Sequence, residues 1–385
     1  MNEDNNIPQI QSSEELRREL LKQYWLDPRE NYPMPYHVLE YNGVPFSPLG
    51  GIQAISGQKK NGKTFVLTQM MAAILCTGSE RVEQMLPGLR MPQRTLEHIG
   101  HPPRVLFVDT EMEKPNTAKV LRRVHWLCGW ETDTPHDQFG VLWLRSVTRD
   151  ETTKEAAYQK RYRLIKMAID EMKPDVVFID GVRDIIGDFN DNEESSELVL
   201  DLMALAETRQ MSIWLALHMN PRPKNDDESK MRGHLGTELG NKVTDTLVSI
   251  KKKDAGTGEV TFTVQQQDAR DKDMDDWKFK ITDVAGNLGI PRIIDNTNME
   301  ADTGEVPGDE PEEIKKWIRA AEDMFEWPLS KGDVKRLVFE GIGKQRNHAK
   351  QNADLRIALN LNLLEESTIK KKGSYLLQPG QDVPF

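Results

Sequence analysis

The sequence predicts an α/β fold: a parallel central sheet covered by helices on both faces. Three observations predict it. From Ile52 to Leu217, short apolar runs alternate with longer amphipathic stretches, the βαβα pattern in which helices carry the chain between parallel strands. A glycine-bearing loop, Gly57-Gln58-Lys59-Lys60-Asn61-Gly62-Lys63-Thr64, joins the first such strand to the first such helix. Two later apolar runs, in Val105-Leu-Phe-Val-Asp109 and Val176-Val-Phe-Ile-Asp180, each end in an aspartate, at the strand tips where ligands of open α/β sheets bind.

The elements follow in order. Ser12-Ser13-Glu14-Glu15 reads as a helix start with a capping box between Ser12 and Glu15, and the helix is expected to run to about Trp25. Proline-rich chain follows, with Pro28, Pro33, Pro35, Pro45 and Pro48. Strand Ile52–Ser56 leads through the glycine loop into helix Lys63–Cys76. Strand Val105–Asp109 precedes helix Asn116–Leu127, and Val141–Leu144 is a third strand. Helix Lys154–Met172 enters strand Val176–Asp180, and helix Ser195–Arg209 enters strand Ser212–Leu217. Val243–Lys251 and Glu259–Gln266 read as a late strand pair.

Between Asp295 and Glu313 there are eight acidic residues and no basic one, with Gly304, Pro307, Gly308 and Pro311, the composition of a linker. Beyond it, Glu312–Phe325, Lys331–Glu340 and Gln345–Leu361 read as helices, and Leu363–Glu366, Lys370–Gly373 and Tyr375–Leu377 as a small hairpin. That order fits a winged helix, and equally a small helical oligomerisation domain. Residues 331–373 hold ten Lys/Arg against five Asp/Glu, which favours a nucleic-acid role. The expected organisation is a lead-in at 1–45, an α/β domain at 46–295, an acidic linker at 296–312 and a winged-helix-like domain at 313–379.

Composition excludes several classes. The chain has 385 residues, 37% hydrophobic and 29% charged, enough for a sizeable core and too many for one small domain. The longest apolar-looking run, Phe65 to Leu75, falls short of the roughly 20 residues of a spanning helix. The first 30 residues lack the apolar segment of a signal peptide. Cys76 and Cys128 are the only cysteines, which excludes a disulfide framework or a zinc cluster and fits a cytoplasmic location. The net charge of −11 excludes a globally basic nucleic-acid coat but not a local basic surface.

The loop Gly57 to Thr64 is a complete P-loop. Its glycines let the backbone wrap phosphate at a helix N-terminus, where the N–H groups point inward. Lys63 is expected on the β/γ-phosphates and the Thr64 hydroxyl on Mg²⁺, so the nucleotide-binding set is Gly57, Gln58, Lys59, Lys60, Asn61, Gly62, Lys63, Thr64 and Phe65, with ATP and Mg²⁺ as the ligands. Lys59 and Lys60 add unusual positive charge. A P-loop also needs a distal carboxylate. Asp180, ending an apolar strand, is expected to hold Mg²⁺ through water. Asp109 ends a similar strand, and either acid could simply close its strand.

This order resembles that of the RecA-like ATPases: P-loop, an apolar strand then Asp109-Thr110-Glu111, an apolar strand then Asp180, and later Leu215-Ala-Leu-His218-Met-Asn220. The branch it is most similar to holds the DnaB-type replicative helicases, the RepA-type hexameric helicases and the KaiC/RadA-like proteins, over roughly residues 45–295. The resemblance implies several roles. Glu111 becomes the base that activates water, with Glu113 a neighbouring acid, and His218 becomes the reporter of γ-phosphate state. Gln267-Asp-Ala-Arg270-Asp resembles the segment whose arginine reaches a neighbouring subunit's nucleotide. Arg270 is therefore the first choice for that role, with Lys242 and Arg232 behind it, although the family's companion lysine is here Asp268. Residues 187–197 and 221–231 match loops that line a DNA channel. The first is acidic (Asp188, Asp191, Glu193, Glu194, Glu197), and only Arg222, Lys224 and Lys230 in the second could meet phosphates.

The resemblance thus implies a homo-oligomeric ATPase, a hexamer favoured, acting on single-stranded or duplex DNA with replication or transposition partners. A non-translocating ATP-dependent switch or assembly factor is the second reading, and a small-molecule kinase a weak third.

Overall fold

The computed structural model describes residues 13–22, 24–219, 231–254, 258–269, 274–284, 288–294, 311–330, 333–343, 354–355, 357–359, 363–371 and 374–379. The chain divides into two compact units, Met1–Asp295 and Asn296–Phe385.

The first unit is built on a nine-stranded sheet. In chain order its elements are α1 (Ser13–Lys22), β1 (His37–Tyr41), β2 (Val44–Pro48), β3 (Ile52–Gly57), α2 (Lys63–Leu75), α3 (Glu80–Met85), β4 (Leu89–Arg90), α4 (Gln93–Ile99), β5 (Val105–Asp109), α5 (Lys114–Cys128), β6 (Phe139–Trp143), α6 (Ala157–Met172), β7 (Val176–Asp180), α7 (Asn192–Arg209), β8 (Ser212–His218), α8 (Gly233–Lys242), β9 (Asp245–Lys253), β10 (Val260–Ala269), β11 (Trp277–Thr282) and β12 (Ile290–Ile294). The spatial order is β12-β11-β10-β9-β3-β8-β7-β5-β6. The six strands from β9 to β6 are parallel, and β10, β11 and β12 continue antiparallel. β1, β2 and β4 form a separate antiparallel sheet.

Alternate residues of the central strands feed two different cores. Ile55, Val105, Phe107, Val176, Phe178, Trp214 and Ala216 pack with Val66, Leu67 and Met70 of α2 and Val120, Val124 and Leu127 of α5. Their sequence neighbours Ala54, Leu106, Val108, Val177, Ile179, Ile213 and Leu215 pack with Ile165 and Ile169 of α6, Leu198 and Leu202 of α7, and Leu235 and Leu239 of α8. Burial on both faces is why β5 and β7 read as unbroken apolar runs. The α/β sheet with helices on both faces is thus the observed architecture.

Several features of the first unit differ from the sequence expectation, which has no counterpart of α3, β4 and α4. The proline-rich stretch holds β1 and β2, and Pro45 and Pro48 lie on β2, an edge strand of its sheet, where no ladder donor is needed. The late strand pair is joined by β11 and β12, and Pro291 again sits on an edge strand. The first helix stops at Lys22, short of Trp25; Ser12 lies outside the described residues. The acidic segment 187–197 is only partly a loop. Asp191 caps α7 by accepting from the Glu194 N–H at 2.9 Å, so Glu193, Glu194 and Glu197 belong to the helix, the first two in its first turn, where negative charge meets the positive end of the helix dipole.

The second unit contains α9 (Pro311–Met324), a π-helical turn at Val334–Ile342 where an α-helix was expected, and the antiparallel hairpin β13 (Leu364–Lys371) and β14 (Ser374–Pro379). Its own core joins Ile314, Ile318, Val334, Val338, Phe339, Leu364 and Leu377. Most of the expected helix Gln345–Leu361, and the linker up to residue 310, lie outside the described residues. Among the described residues no helix is long and apolar enough to cross a membrane.

Candidate active site

The site lies at the C-terminal ends of four neighbouring strands, β3, β8, β7 and β5. The loop leaving β3 is shaped by two glycines. A Cβ on Gly57 would stand 2.8 Å from the Ser249 carbonyl oxygen. Gly62 has φ +86°, and a Cβ there would stand 2.6 Å from the Phe262 ring, so both positions exclude a side chain. The Ser249 hydroxyl donates to the Asn61 carbonyl at 2.5 Å and ties the loop to β9. Gln58, Lys59 and Lys60 are exposed on its outer side, and Phe65 lies half-buried in the first turn of α2.

Lys63 opens α2 and turns back into the site, 8% exposed. Its Nζ donates to the Gly57 carbonyl at 3.2 Å and to Nδ1 of His218 at 2.9 Å. An ammonium can only donate, so Nδ1 accepts and the imidazole proton sits on Nε2. That Nε2 lies 3.5 Å from Oε2 of Glu111. Burial lowers the Lys63 pKa, and the Asp180 and Glu111 charges partly offset it. Glu111 is held below its ordinary value, chiefly by the His218 contact, against the opposing effect of burial.

Asp180, buried at the tip of β7, accepts from the Thr64 hydroxyl at 2.7 Å. Burial, then the neighbouring Glu111 charge, push its pKa up to about 6. A hydroxyl and a carboxylate oxygen side by side match the oxygen chemistry of Mg²⁺, which takes one or two protein ligands beside substrate phosphates. Among the described residues no group of three or more His, Cys, Asp or Glu could hold a metal, so a phosphate-held ion fits this donor set and a protein-caged one does not. The amide-lined loop, the Lys63 ammonium and the Thr64–Asp180 pair together fit a nucleoside triphosphate with Mg²⁺.

The structure therefore brings Lys63, Thr64, Asp180, Glu111 and His218 together. Asp109 is engaged apart from the Thr64–Asp180 pair: its carboxylate accepts from the Glu111 and Met112 N–H groups, both at 2.9 Å, and from the Thr117 hydroxyl. Glu113 is engaged elsewhere, 2.5 Å from the Arg145 guanidinium, which holds its pKa down at about 2. Arg270 and the segment with Arg222, Lys224 and Lys230 lie outside the described residues. Lys242 ends α8, and Arg232 precedes α8 with its guanidinium 5.7 Å from the Phe189 ring.

Sequence reasoning missed Arg183. Its guanidinium lies 4.2 Å from the same Phe189 ring, and its charge helps hold Glu111 ionised. The only sequence signal was its position three residues after Asp180. Gly181 and Thr110 were missed too. Gly181 has φ +104°, and a Cβ there would press on the Thr110 hydroxyl and stand 2.8 Å from Cγ of Glu111. The Thr110 hydroxyl donates to the Asp180 and Gly181 carbonyls at 3.2 and 3.0 Å, stitching the ends of β5 and β7 together.

The AAA domain family model matches residues 30–222, which span the P-loop, Glu111, Asp180 and His218. No curated protein matches the chain. Among solved structures, a KaiC-like protein from the hyperthermophilic archaeon Pyrococcus horikoshii OT3 is similar at 13% identity and a TM-score of 0.43, covering 68% of this chain and 99% of its own.

Proposed function

The chain belongs to the AAA domain family of P-loop ATPases, and on that footing we propose that it is an ATP-hydrolysing, RecA-like oligomeric motor or DNA-binding ATPase of DNA replication, recombination or mobile-element maintenance, similar to RepA-type helicases. The convergence of Lys63, Thr64, Glu111, Asp180 and His218 on four adjacent strand ends carries this reading. The strand order supports the RecA-like assignment: β8 stands between the P-loop strand β3 and the Asp180 strand β7, and Glu111 follows β5 on the far side of β7.

In this reading the loop amides and Lys63 bind the phosphates, and Lys63 exchanges its Gly57 and His218 partners for phosphate oxygens. Thr64 and Asp180 would hold Mg²⁺, which would neutralise phosphate charge when bound. Glu111 orients the attacking water and takes its proton. His218, touching both Lys63 and Glu111, passes the state of one to the other. Arg270 of a neighbouring subunit, with Lys242 and Arg232 as alternatives, completes the site in a ring, a hexamer favoured. The second unit, basic over residues 331–373, acts as a winged-helix-like domain that docks DNA.

A second reading, a non-translocating switch that closes a ring or filament, is favoured by the acidic start of α7 next to the site. The ATPase rate with and without single-stranded DNA, with mass measurement in the presence of an ATP analogue, tests both. DNA stimulation and ATP-dependent assembly support the motor. Assembly without DNA stimulation supports the switch. A Lys63→Ala protein that still hydrolyses ATP at the wild-type rate overturns this assignment of the active site.

A further inference from the structure

We propose that Asp109 and Thr117 are positioning residues that set the orientation of Glu111; the inference rests on the reading of Glu111 as the base. Asp109 is fully buried, yet its carboxylate touches neither Lys63 nor Thr64. Its acceptor capacity is instead spent on the turn that carries Glu111. One oxygen accepts from the backbone N–H groups of Glu111 and Met112, both at 2.9 Å, and the other from the Thr117 hydroxyl, which is itself buried in the first turn of α5.

The turn is held from two further sides. The Thr110 hydroxyl anchors it to the Asp180 and Gly181 carbonyls. The Trp143 indole N–H donates to the Met112 carbonyl at 2.9 Å. Asp109, Thr110 and Met112 thus each have a hydrogen bond to another strand or helix, and Glu111, tied to Asp109 through its own N–H, extends its carboxylate toward His218. A base must be in line with its water, and a displacement of about 1 Å can cost on the order of 100-fold in rate. A buried carboxylate that accepts three hydrogen bonds, two of them from the turn itself, is a rigid means of fixing that geometry. Thr117 fixes the carboxylate in its turn and so links Glu111 to the start of α5.

Thr117→Val keeps the shape and removes the hydroxyl donor. The expected result is a fall in kcat on the order of ten- to 100-fold, with KM for ATP changed no more than about threefold. Thr117→Ser, which restores the hydroxyl, recovers the rate. Asp109→Asn, which keeps one accepting oxygen for the turn, falls between. The deciding measurement is a double-mutant cycle with Glu111→Gln. If Thr117 acts through Glu111, Thr117→Val slows the Glu111→Gln protein by no more than about twofold. If Thr117→Val slows both backgrounds by the same factor, or leaves the wild-type kcat unchanged, Thr117 is merely structural and the proposal falls. If Glu111→Gln itself turns over normally, the reading of Glu111 falls first and this proposal with it. Thr117→Ser and Asp109→Asn carry the test if Thr117→Val does not fold.

Discussion

Nδ1 of His218 lies 2.9 Å from Nζ of Lys63, and the opposite face of the same ring nitrogen pair, Nε2, lies 3.5 Å from Oε2 of Glu111. One imidazole thus spans the phosphate-binding cation and the carboxylate proposed as the base. The Lys63 ammonium gives two of its three donors to the Gly57 carbonyl and His218, so phosphate oxygens would compete with His218 for it.

His218→Ala therefore removes a competitor for the Lys63 ammonium. ATP affinity should stay the same or tighten while kcat falls about tenfold or more through loss of Glu111 orientation. The His218 contact also holds Glu111 below its ordinary pKa. Without it that pKa rises, and because the base must be ionised, the acid limb of the kcat profile moves to higher pH. Equilibrium binding and a pH–rate series check both statements. A variant with weakened binding and an unshifted limb would mean that His218 contacts phosphate directly.

Glu111→Gln should bind ATP and hydrolyse it at least roughly 100-fold more slowly, the scale of losing a general base. Glu113→Gln should retain most of the rate, since Glu113 is paired with Arg145 at 2.5 Å and bonded to Asn116 at 3.0 Å, away from His218. Single-turnover hydrolysis separates the two. The opposite ranking would transfer the role to Glu113.

Asp180 should make the stability of the nucleotide-free protein depend on pH. Its pKa is pushed up to about 6 by burial and by Glu111, above the value of about 3.9 in an unfolded chain. The folded state therefore holds its proton more tightly, and the stability this gives is present below about pH 4 and lost as pH rises through about 6. Asp180→Asn, which still offers an oxygen to Thr64, should raise Tm over wild type at pH 7.5 without nucleotide or metal, and the gain should vanish near pH 4. Scanning calorimetry at the two pH values decides it. An equal gain at both would locate the effect outside Asp180 ionisation.

What could be read from the chain depended on how local the cause was. β5 and β7 were legible because strands buried on both faces are continuous apolar runs, and the P-loop because its glycines, Lys63 and Thr64 are adjacent in sequence. β2 and β12 were hidden by Pro45, Pro48 and Pro291, which edge strands tolerate. β11 alternates in plain sight as Trp277-Lys-Phe-Lys-Ile, but it follows an aspartate-rich stretch that masked it. The sequence singled out Asp180 for the metal but left the duty of Asp109 open. They are register partners on adjacent strands and end similar runs; only Thr64 beside one and Thr117 beside the other separate them. Arg183 escaped because its placement depends on Phe189, and a stacking partner six residues away leaves no motif.

The second unit supplies the last prediction. Every phosphate-site residue named above lies before residue 295, and among the described residues the cores beneath that site are built from side chains up to Ile293. The helices and hairpin after residue 310 enclose a separate core of Ile314, Ile318, Val338, Phe339 and Leu377. A protein ending at about residue 310 should therefore keep its basal ATPase rate. It would lose the charge of Lys344, Arg346, Lys350, Lys370, Lys371 and Lys372. Phosphate contacts by such residues release counterions, so each one lost lowers affinity and flattens the dependence of log K on log salt by about 0.7 to 0.9. Fluorescence anisotropy of labelled single-stranded and duplex DNA across a salt series, beside the ATPase rate of the same preparations, makes the comparison. Weaker binding and a flatter slope at an unchanged basal rate assign DNA docking to this unit. Equal affinity and slope in both proteins would instead make it a module for oligomerisation or for docking a protein partner.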